Sequence, residues 1–188
     1  ITDNQEMVIG DMLDNDSLIK ACSGSRYLYH FGGIADIGEA VANPYKAIET
    51  NVLGAAKALE TALVVGVERF VYASTMYVYS AAGSFYRASK QAAETIVEAY
   101  CEAFNLDYTL LRYGSLYGPR AQEWNGLRSY VRKVVEEGRL HYEGSGEERR
   151  EYIHVCDAAR LSVDILDNQH RNQAITVTGS QVLNSSEL

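Results

Sequence analysis

RFVYASTMYVYSAAGSFYRASK, residues 69–90, is the stretch of sequence that decides the fold. Its first part, RFVYAST, is an apolar run rich in aromatic and β-branched residues, as is typical of a buried strand. Its last part, YRASK, opens a helical pattern in which Tyr86 and Lys90 are four residues apart. Side chains four apart lie on the same face of a helix. The stretch therefore predicts a strand followed by a helix that presents a tyrosine and a lysine together.

This pairing of side chains has a chemical interpretation. A lysine ammonium beside a phenol favours the phenolate and lowers the pKa of the tyrosine. A tyrosine with such a pKa can exchange a proton with a substrate hydroxyl. Thr75, at the end of the predicted strand, can donate a hydrogen bond to the same oxygen. Thr75, Tyr86 and Lys90 are therefore candidate catalytic residues.

Strands and helices alternate on both sides of this stretch. The pattern predicts strands at 7–11, 27–31, 69–73, 108–112, 140–142, 152–155 and 174–178. It predicts helices at 14–21, 44–65, 86–104, 127–137 and 157–166. Alternation of this kind is typical of an α/β fold with a doubly wound parallel sheet and helices on both faces.

Composition limits the classes of function. The chain has 188 residues, 47% of them hydrophobic, and a net charge of −8, which suits a folded domain but not a nucleic-acid or anionic membrane surface. No apolar run approaches the ~20 residues of a transmembrane helix. The cysteines Cys22, Cys101 and Cys156 form no C-x-x-C pair, so we expect no disulfide framework and no metal site. These features favour a cytoplasmic protein.

The order of the motifs resembles a known group of enzymes. STMYVY at 74–79 followed by YRASK at 86–90 is similar to the extended short-chain dehydrogenase/reductase superfamily, within it to the NAD-dependent nucleotide-sugar epimerase/dehydratase family. The resemblance extends from Asp11 to Ser180. It implies an NAD(P)-binding Rossmann-type domain at 1–120 and a mixed substrate-binding segment at 121–188. It also implies NAD as cofactor, with NADP left open, and a nucleotide-diphosphate sugar as ligand.

The resemblance assigns further site residues motif by motif. Gly10-Asp11-Met12 resembles the adenine pocket of the family, and the small residues of His30-Phe31-Gly32-Gly33 let the backbone approach phosphates and ribose. Asn51 resembles a helix asparagine that ties the central helix to the active-site strands. The full set of implied cofactor-binding residues is Asp11, Met12, Phe31, Gly32, Gly33, Asn51, Ala73, Ser74, Tyr86, Lys90, Tyr113 and Gly114.

The implied substrate-binding residues are Thr75, Ser115 and Arg150. Many relatives have asparagine at the place of Ser115, and a hydroxyl cannot make the same two-ended hydrogen bond, so the sugar stays open. The guanidinium of Arg150 suits a diphosphate, whereas Arg149 is expected to be a solvated charge. His30 is expected to be a hydrogen-bonded structural histidine, and His154, inside a strand pattern, to be a core residue; neither is expected to be catalytic.

Three places are shorter than the resemblance implies. No glycine-rich turn for a pyrophosphate precedes Met7, and only a short loop at 80–84 separates Tyr79 from Tyr86. The final residues, 184–188, resemble a capping box that opens a helix. Either the protein has lost the longer loop, or further residues of the protein belong there; we favour further residues at all three places.

The residues that follow Thr75 bear on the reaction. Dehydratases and decarboxylases of this family usually carry an acidic residue there, but Met76 and Tyr77 are not acids at neutral pH. A 4-epimerase needs no such acid, because hydride leaves C4 and returns to the other face of a rotated ketone. The sequence therefore favours a nucleotide-sugar epimerase. A reductase or dehydratase of the same fold is the alternative, and a non-catalytic cofactor-binding scaffold is a minor one.

Two long helices have more apolar surface than a sheet can cover. Small and apolar residues recur at helical spacing in both: Ala55, Ala56, Leu59, Ala62 and Leu63 in 44–65, and Ala92, Ala93, Ile96, Val97, Tyr100 and Phe104 in 86–104. Relatives commonly pair these helices with their symmetry mates, so the resemblance implies a homodimer through them. The alternative is that both stripes pack on the sheet of one protomer.

Overall fold

A four-stranded parallel sheet is the centre of the fold. The structure, a computed structural model, describes residues 4–142 and 144–188. The strands of the main sheet lie in the order β1-β2-β3-β6, with β1 Tyr27–His30, β2 Arg69–Thr75, β3 Tyr108–Tyr113 and β6 Gln173–Val177. All three pairings are parallel. The predicted α/β class is confirmed.

Seven α-helices and a small second sheet complete the described part of the chain. The helices are α1 Asn15–Cys22, α2 Ile37–Ala42, α3 Pro44–Ile48, α4 Gly54–Val65, α5 Ser84–Phe104, α6 Gly126–Glu137 and α7 Val155–Asp164. A π-helical segment, Glu49–Leu53, joins α3 to α4, and 3-10 turns occupy Met76–Tyr79 and Asn168–His170. The small sheet has the order β4-β5-β7, with β4 Ser115–Tyr117, β5 Arg149–His154 and β7 Val182–Asn184.

The main sheet is covered on both faces, because its strands alternate buried side chains between two cores. Phe70 and Tyr72 of β2 belong to the core under α4 and α5, with Leu59, Val97 and Leu110 among its members. Val71 belongs to the opposite core, which Leu111, Ala158, Ile165 and Val177 also form. Alternation along β2 is the period-2 geometry of a strand. Both faces of the sheet are therefore covered, and the carboxyl ends of β2 and β3 remain available to form a site.

The sequence-based elements differ from the structure in several places, and the short strands β4 and β7 were not predicted. Residues 7–11 and 140–142 are not strands; Ile9 is 92% exposed, and these segments pair with no strand in the described chain. A strand is stable only with a hydrogen-bonded neighbour, so apolar character alone misled the prediction there. The helix predicted at 44–65 is interrupted by its π segment, and α2, a short helix capped by Asp36, was not predicted.

Candidate active site

A cleft of about 1140 Å³ opens at the carboxyl ends of β2 and β3, where ligands bind in open α/β sheets. Eleven of the predicted site residues line it: Phe31, Gly33, Ala73, Ser74, Thr75, Tyr86, Lys90, Tyr113, Gly114, Ser115 and Arg150. Four do not line it: Asp11, Met12, Gly32 and Asn51. The structure therefore brings the three candidate catalytic residues to one cavity.

Lys90 is buried against β2. Its ammonium donates a hydrogen bond of 2.8 Å to the carbonyl oxygen of Ala73 and lies 4.7 Å from the centroid of the Tyr72 ring. Burial lowers the pKa of Lys90 to about 8, and the Glu94 carboxylate acts in the opposite direction. Lys90 is thus a cation that loses its proton closer to neutral pH than an exposed lysine does.

The phenol of Tyr86 is also buried, and burial raises its pKa. A hydrogen bond with the Thr75 hydroxyl opposes that shift, as the pairing of these two residues predicts. The expected lowering of the Tyr86 pKa by Lys90 is wrong for this structure. Burial outweighs the influence of neighbouring groups, and the Lys90 ammonium is engaged by Ala73 and Tyr72.

Asn51 positions the loop after β1 and does not itself line the cleft. Its Oδ1 accepts a hydrogen bond of 2.7 Å from the Ile34 amide, and its Nδ2 donates to the Ile34 carbonyl at 3.0 Å and to Ser89 Oγ at 2.9 Å. The predicted tie to the active-site strands is therefore replaced by a tie to this loop and to Ser89 of α5. Asn51 lies in the π-helical segment, and such segments are frequent at functional sites.

Gly33 needs to lack a side chain at this point of the loop. A Cβ there would lie 2.8 Å from Asn51 Oδ1 and 3.8 Å from the Lys90 ammonium nitrogen. Gly32 is less tightly constrained, because a Cβ there would lie 3.0 Å from the sulfur of the flexible Met12 side chain. The loop thus presents bare backbone to the cleft beside Lys90.

Asp11 and Met12 lie apart from the cleft. Asp11 Oδ1 accepts a hydrogen bond of 2.9 Å from the Leu13 amide in its own loop. The methyl group of Met12 packs over Gly54 of α4, where a Cβ would lie only 2.4 Å from it. Met12 therefore has a packing role here, and the adenine-binding role of both residues stays a prediction.

An aromatic shelf forms one wall of the cleft. The rings of Tyr29 and Phe31 are stacked with centroids 6.0 Å apart, and Phe31 lies 6.2 Å from Tyr113. The hydroxyl groups of Tyr29 and Tyr113 are both tied to Ser162 of α7, through its carbonyl at 2.6 Å and its Oγ at 2.5 Å. Phe31 is 57% exposed, so this shelf offers a flat apolar surface to a ligand.

The opposite wall comes from the small sheet and from α6. Ser115 of β4 lies opposite Tyr152 of β5, and Arg150 lies on the same strand β5. Arg149 is exposed, in agreement with its prediction as a solvated charge, and it also lines the cleft.

On the side of α6, the lining residues that sequence interpretation missed are Trp124, Asn125, Leu127 and Tyr130. Asn125 caps α6, and its Nδ2 donates a hydrogen bond of 2.9 Å to the Leu116 carbonyl oxygen. A lone tryptophan next to a helix-capping asparagine was the available signal for this wall.

The two histidines differ in part from what the sequence predicts. His30 stacks on Phe70 and Tyr72 with centroids 6.2 and 5.9 Å away, and burial lowers its pKa to about 4. Its Nε2 has no hydrogen-bond partner among the described residues, so it is less well satisfied than expected. His154 caps α7, accepting from the Cys156 amide at 3.3 Å, and it is not in the core.

Two further properties concern residues 4–142 and 144–188. No group of three or more histidine, cysteine or acidic side chains in these ranges is arranged to hold a metal ion. No helix in them combines the length and apolarity needed to cross a membrane.

Known proteins similar to this chain include both epimerases and dehydratases. A UDP-glucuronate 4-epimerase from Thermodesulfobacterium geofontis is 26% identical over 147 residues, which cover 71% of this chain and 46% of that protein. A dTDP-glucose 4,6-dehydratase from Streptomyces antibioticus is 28% identical over 177 residues, or 87% of this chain and 52% of that protein. The chain spans about half the length of these relatives.

The fold comparison agrees with the sequence comparison. A dTDP-glucose 4,6-dehydratase from Streptomyces venezuelae, solved with NAD bound, has a TM-score of 0.86 and 26% identity. The match covers 95% of this chain and 59% of that one. The model of the NAD dependent epimerase/dehydratase family matches residues 1–178, nearly the whole sequence. With Thr75, Tyr86 and Lys90 gathered in one cleft, the chain belongs to the NAD dependent epimerase/dehydratase family.

Proposed function

We propose that the protein is an NAD-dependent epimerase that inverts C4 of a nucleotide-diphosphate sugar through a transient ketone. One observation carries the choice of reaction. The Thr75 hydroxyl and the Tyr86 phenol meet in the cleft, and the residues directly after Thr75 are Met76 and Tyr77, not carboxylates. Proton exchange at one oxygen is all that this arrangement needs to supply.

The residues present fit NAD as the cofactor. The bare backbone at Gly33, the exposed ring of Phe31 and the Lys90 cation give a flat apolar surface next to a positive charge. Phe31, Gly33, Tyr113 and Gly114 would hold the nicotinamide end, and Lys90 would hold the ribose. Bound NAD supplies the hydride acceptor and donor for C4, and NADP remains an alternative.

The side chains of this chain manage the proton. Tyr86 takes the proton of the C4 hydroxyl and returns it, while Thr75 donates a hydrogen bond to the reacting oxygen. Burial raises the pKa of Tyr86 in the structure, where Ala73 and Tyr72 engage the Lys90 ammonium. In the proposed mechanism Lys90, one turn away on the same helix face, is the cation that stabilises the phenolate during proton transfer. Ser115 and Arg150 contact the sugar nucleotide from the other wall.

A dehydratase is the second candidate, and one observation favours it. Asp36 and Glu151 line the cleft, so carboxylates are present although none follows Thr75. Asp36 caps α2, and its Oδ1 accepts a hydrogen bond of 2.7 Å from the Glu39 amide. This engagement counts against Asp36 as the extra acid. A reductase uses the same three residues. A non-catalytic scaffold is the weakest candidate, because Tyr86 and Lys90 are both in place.

The test is an assay of the full-length protein with NAD and a panel of UDP- and dTDP-hexoses, followed by proton NMR. An epimerase would interconvert C4 epimers without net consumption of NAD. A 4-keto-6-deoxy product would establish the dehydratase. Stoichiometric oxidation of NADH or NADPH would establish the reductase. Binding of NAD without turnover of any of these sugars would support the non-catalytic scaffold.

We also propose that the protein is a homodimer joined through the helices at 44–65 and 86–104. The apolar stripes of these helices divide between two faces. Ala55, Leu59, Ala62, Ala93 and Val97 pack in the core, whereas Leu53, Val64, Phe85 and Phe104 are each more than 40% exposed, and Ala92 is exposed. An outward apolar surface of this kind is typical of an interface.

Sedimentation of the full-length protein at micromolar concentration is expected to give the mass of a dimer. The Ala92→Glu variant places a charge on the outward face of α5 and is expected to sediment as a monomer with an unchanged circular dichroism spectrum. A single species at monomer mass for the unaltered protein would reject the dimer.

A further inference from the structure

Tyr86, Lys90 and Glu94 follow one another at intervals of four residues on α5, so they form one face of that helix. The first two point to the cleft, and the third lies one turn deeper. Glu94 is 7% exposed, which is unusual for a carboxylate unless it is paired. The question is what this buried charge does behind the catalytic residues.

Both carboxylate oxygens of Glu94 are in use. Arg112 of β3 donates from Nε to Oε1 at 3.0 Å and from one terminal nitrogen to Oε2 at 2.6 Å. The Ser74 hydroxyl at the end of β2 donates a short hydrogen bond to Oε1. Glu94 thus connects α5 to two neighbouring strands at the point where those strands end in the cleft.

The pair also reaches the wall of the cleft. The guanidinium carbon of Arg112 lies 4.8 Å from the centroid of the Tyr79 ring, and its other terminal nitrogen donates a short hydrogen bond to the Tyr79 hydroxyl. Ser74 and Tyr79 both line the cleft. A shift of Glu94 would therefore move two lining residues and the end of β2 together.

Stability alone does not account for this pair. Desolvation of two buried charges offsets most of their attraction, and apolar residues of the same volume often stabilise a protein equally well. The side chains of Glu94 and Arg112 are only 9% and 17% exposed, so they bear that desolvation. Orientation of the neighbouring site residues is the effect that an apolar pair would not reproduce.

The titratable groups that face Lys90 come from several elements. His30 of β1 and Tyr72 of β2 pack against it, but burial holds the pKa of His30 low and that of Tyr72 high, so both are uncharged at neutral pH. Tyr86 shares its helix. Among the described residues, Glu94 is the carboxylate that favours the charged form of Lys90, with Arg112 of β3 behind it as counter-ion.

We propose that Glu94 is a positioning residue: held by Arg112, it fixes Ser74 at the end of β2 and supports the Lys90 cation from one turn below. The inference rests on the proposed function for its kinetic part. Its structural and electrostatic part concerns residues of this chain and can be measured whether or not turnover is found.

The experiment compares three variants of the full-length protein. Glu94→Gln keeps the shape and removes the charge. Arg112→Lys keeps the charge and removes the two-ended fork. Thr109→Val is the matched control, because Thr109 lies on the same strand β3 and is fully buried. Its hydroxyl donates a hydrogen bond of 2.9 Å to the His170 carbonyl oxygen, away from the cleft. For each protein we would measure thermal unfolding, kcat and KM, and the Lys90 pKa by NMR of ¹³C-labelled lysine, with the signal assigned from Lys90→Arg.

The proposal predicts a different response from each variant. Glu94→Gln should lower the Lys90 pKa, move the alkaline limb of the pH–rate profile to lower pH, and reduce kcat by up to about 10²-fold with little change in KM. Arg112→Lys should reduce kcat by a smaller factor and leave the Lys90 pKa unchanged. Thr109→Val should lower only the unfolding temperature.

Wild-type kcat together with an unchanged Lys90 pKa in Glu94→Gln would overturn the proposal. If Glu94→Gln does not fold, a folded Arg112→Lys with wild-type kcat would overturn it as well. An unaltered protein without any turnover would contradict the proposed function instead, and the Lys90 titration in Glu94→Gln would then decide the positioning role by itself.

Discussion

The Tyr86→Phe variant of the full-length protein is expected to retain its fold and its affinity for NAD while turnover falls by about 10²–10⁴-fold. Only the phenol oxygen is lost. The ring keeps its place in the small core with Ala40 and Ala47, and its edge contact with Tyr77 at 6.0 Å between centroids. Thr75 Oγ1 still accepts a hydrogen bond from the Tyr77 amide at 3.2 Å, so the end of β2 stays in place.

The measurement is turnover under saturating nucleotide sugar, with NAD affinity determined separately by calorimetry. Tyr77→Phe is the matched control, because it removes a phenol oxygen from the neighbouring ring of the same pair. It is expected to stay within a few-fold of the unaltered protein. Undiminished turnover in Tyr86→Phe would remove Tyr86 from the proposed mechanism, whereas equal losses in both variants would indicate a packing effect.

The central strand and helix could be predicted because their signals are local. An apolar run specifies β2, and the spacing of Tyr86 and Lys90 specifies one face of α5. The rule that ligands bind at the carboxyl ends of parallel strands then places Thr75 in the same cleft. The resemblance added the far wall, where Ser115 and Arg150 do line the cavity.

Other features depend on tertiary contacts that no local pattern contains. The four-residue step from Lys90 to Glu94 is visible in the sequence, but its partner Arg112 comes from another strand. The pKa of Tyr86 followed burial rather than its neighbour on the helix. The exposed apolar residues at 7–9 have the composition of a strand and no strand to pair with in the described chain.

Arg69 is the clearest case of a residue whose role only the structure reveals. It begins β2 and is 1% exposed, although arginine is rarely buried. One terminal nitrogen donates to the Ile165 carbonyl at 2.7 Å and to the Asp167 carbonyl at 3.2 Å, just beyond the end of α7. The cation thus satisfies carbonyl groups at a helix C-terminus, where positive charge is favourable.

The Arg69→Met variant is expected to unfold with a free energy lower by about 2–4 kcal/mol, because the buried Ile165 carbonyl and the partly buried Asp167 carbonyl lose a charged donor. Its melting temperature should fall by roughly 5–15 °C. Arg26→Met is the matched control: Arg26 lies just before β1 and pairs with Glu68 at 2.5 Å, but that pair is exposed and its loss should leave the melting temperature unchanged.

Activity separates this variant from those of the cleft. Arg69 lies at the amino end of β2, whereas Thr75 lies at the carboxyl end in the cleft. Turnover of Arg69→Met measured well below its melting temperature should therefore equal that of the unaltered protein. Thermal unfolding followed by circular dichroism checks the first expectation, and identical melting curves for Arg69→Met and Arg26→Met would show that the buried cation does not hold α7 to the sheet.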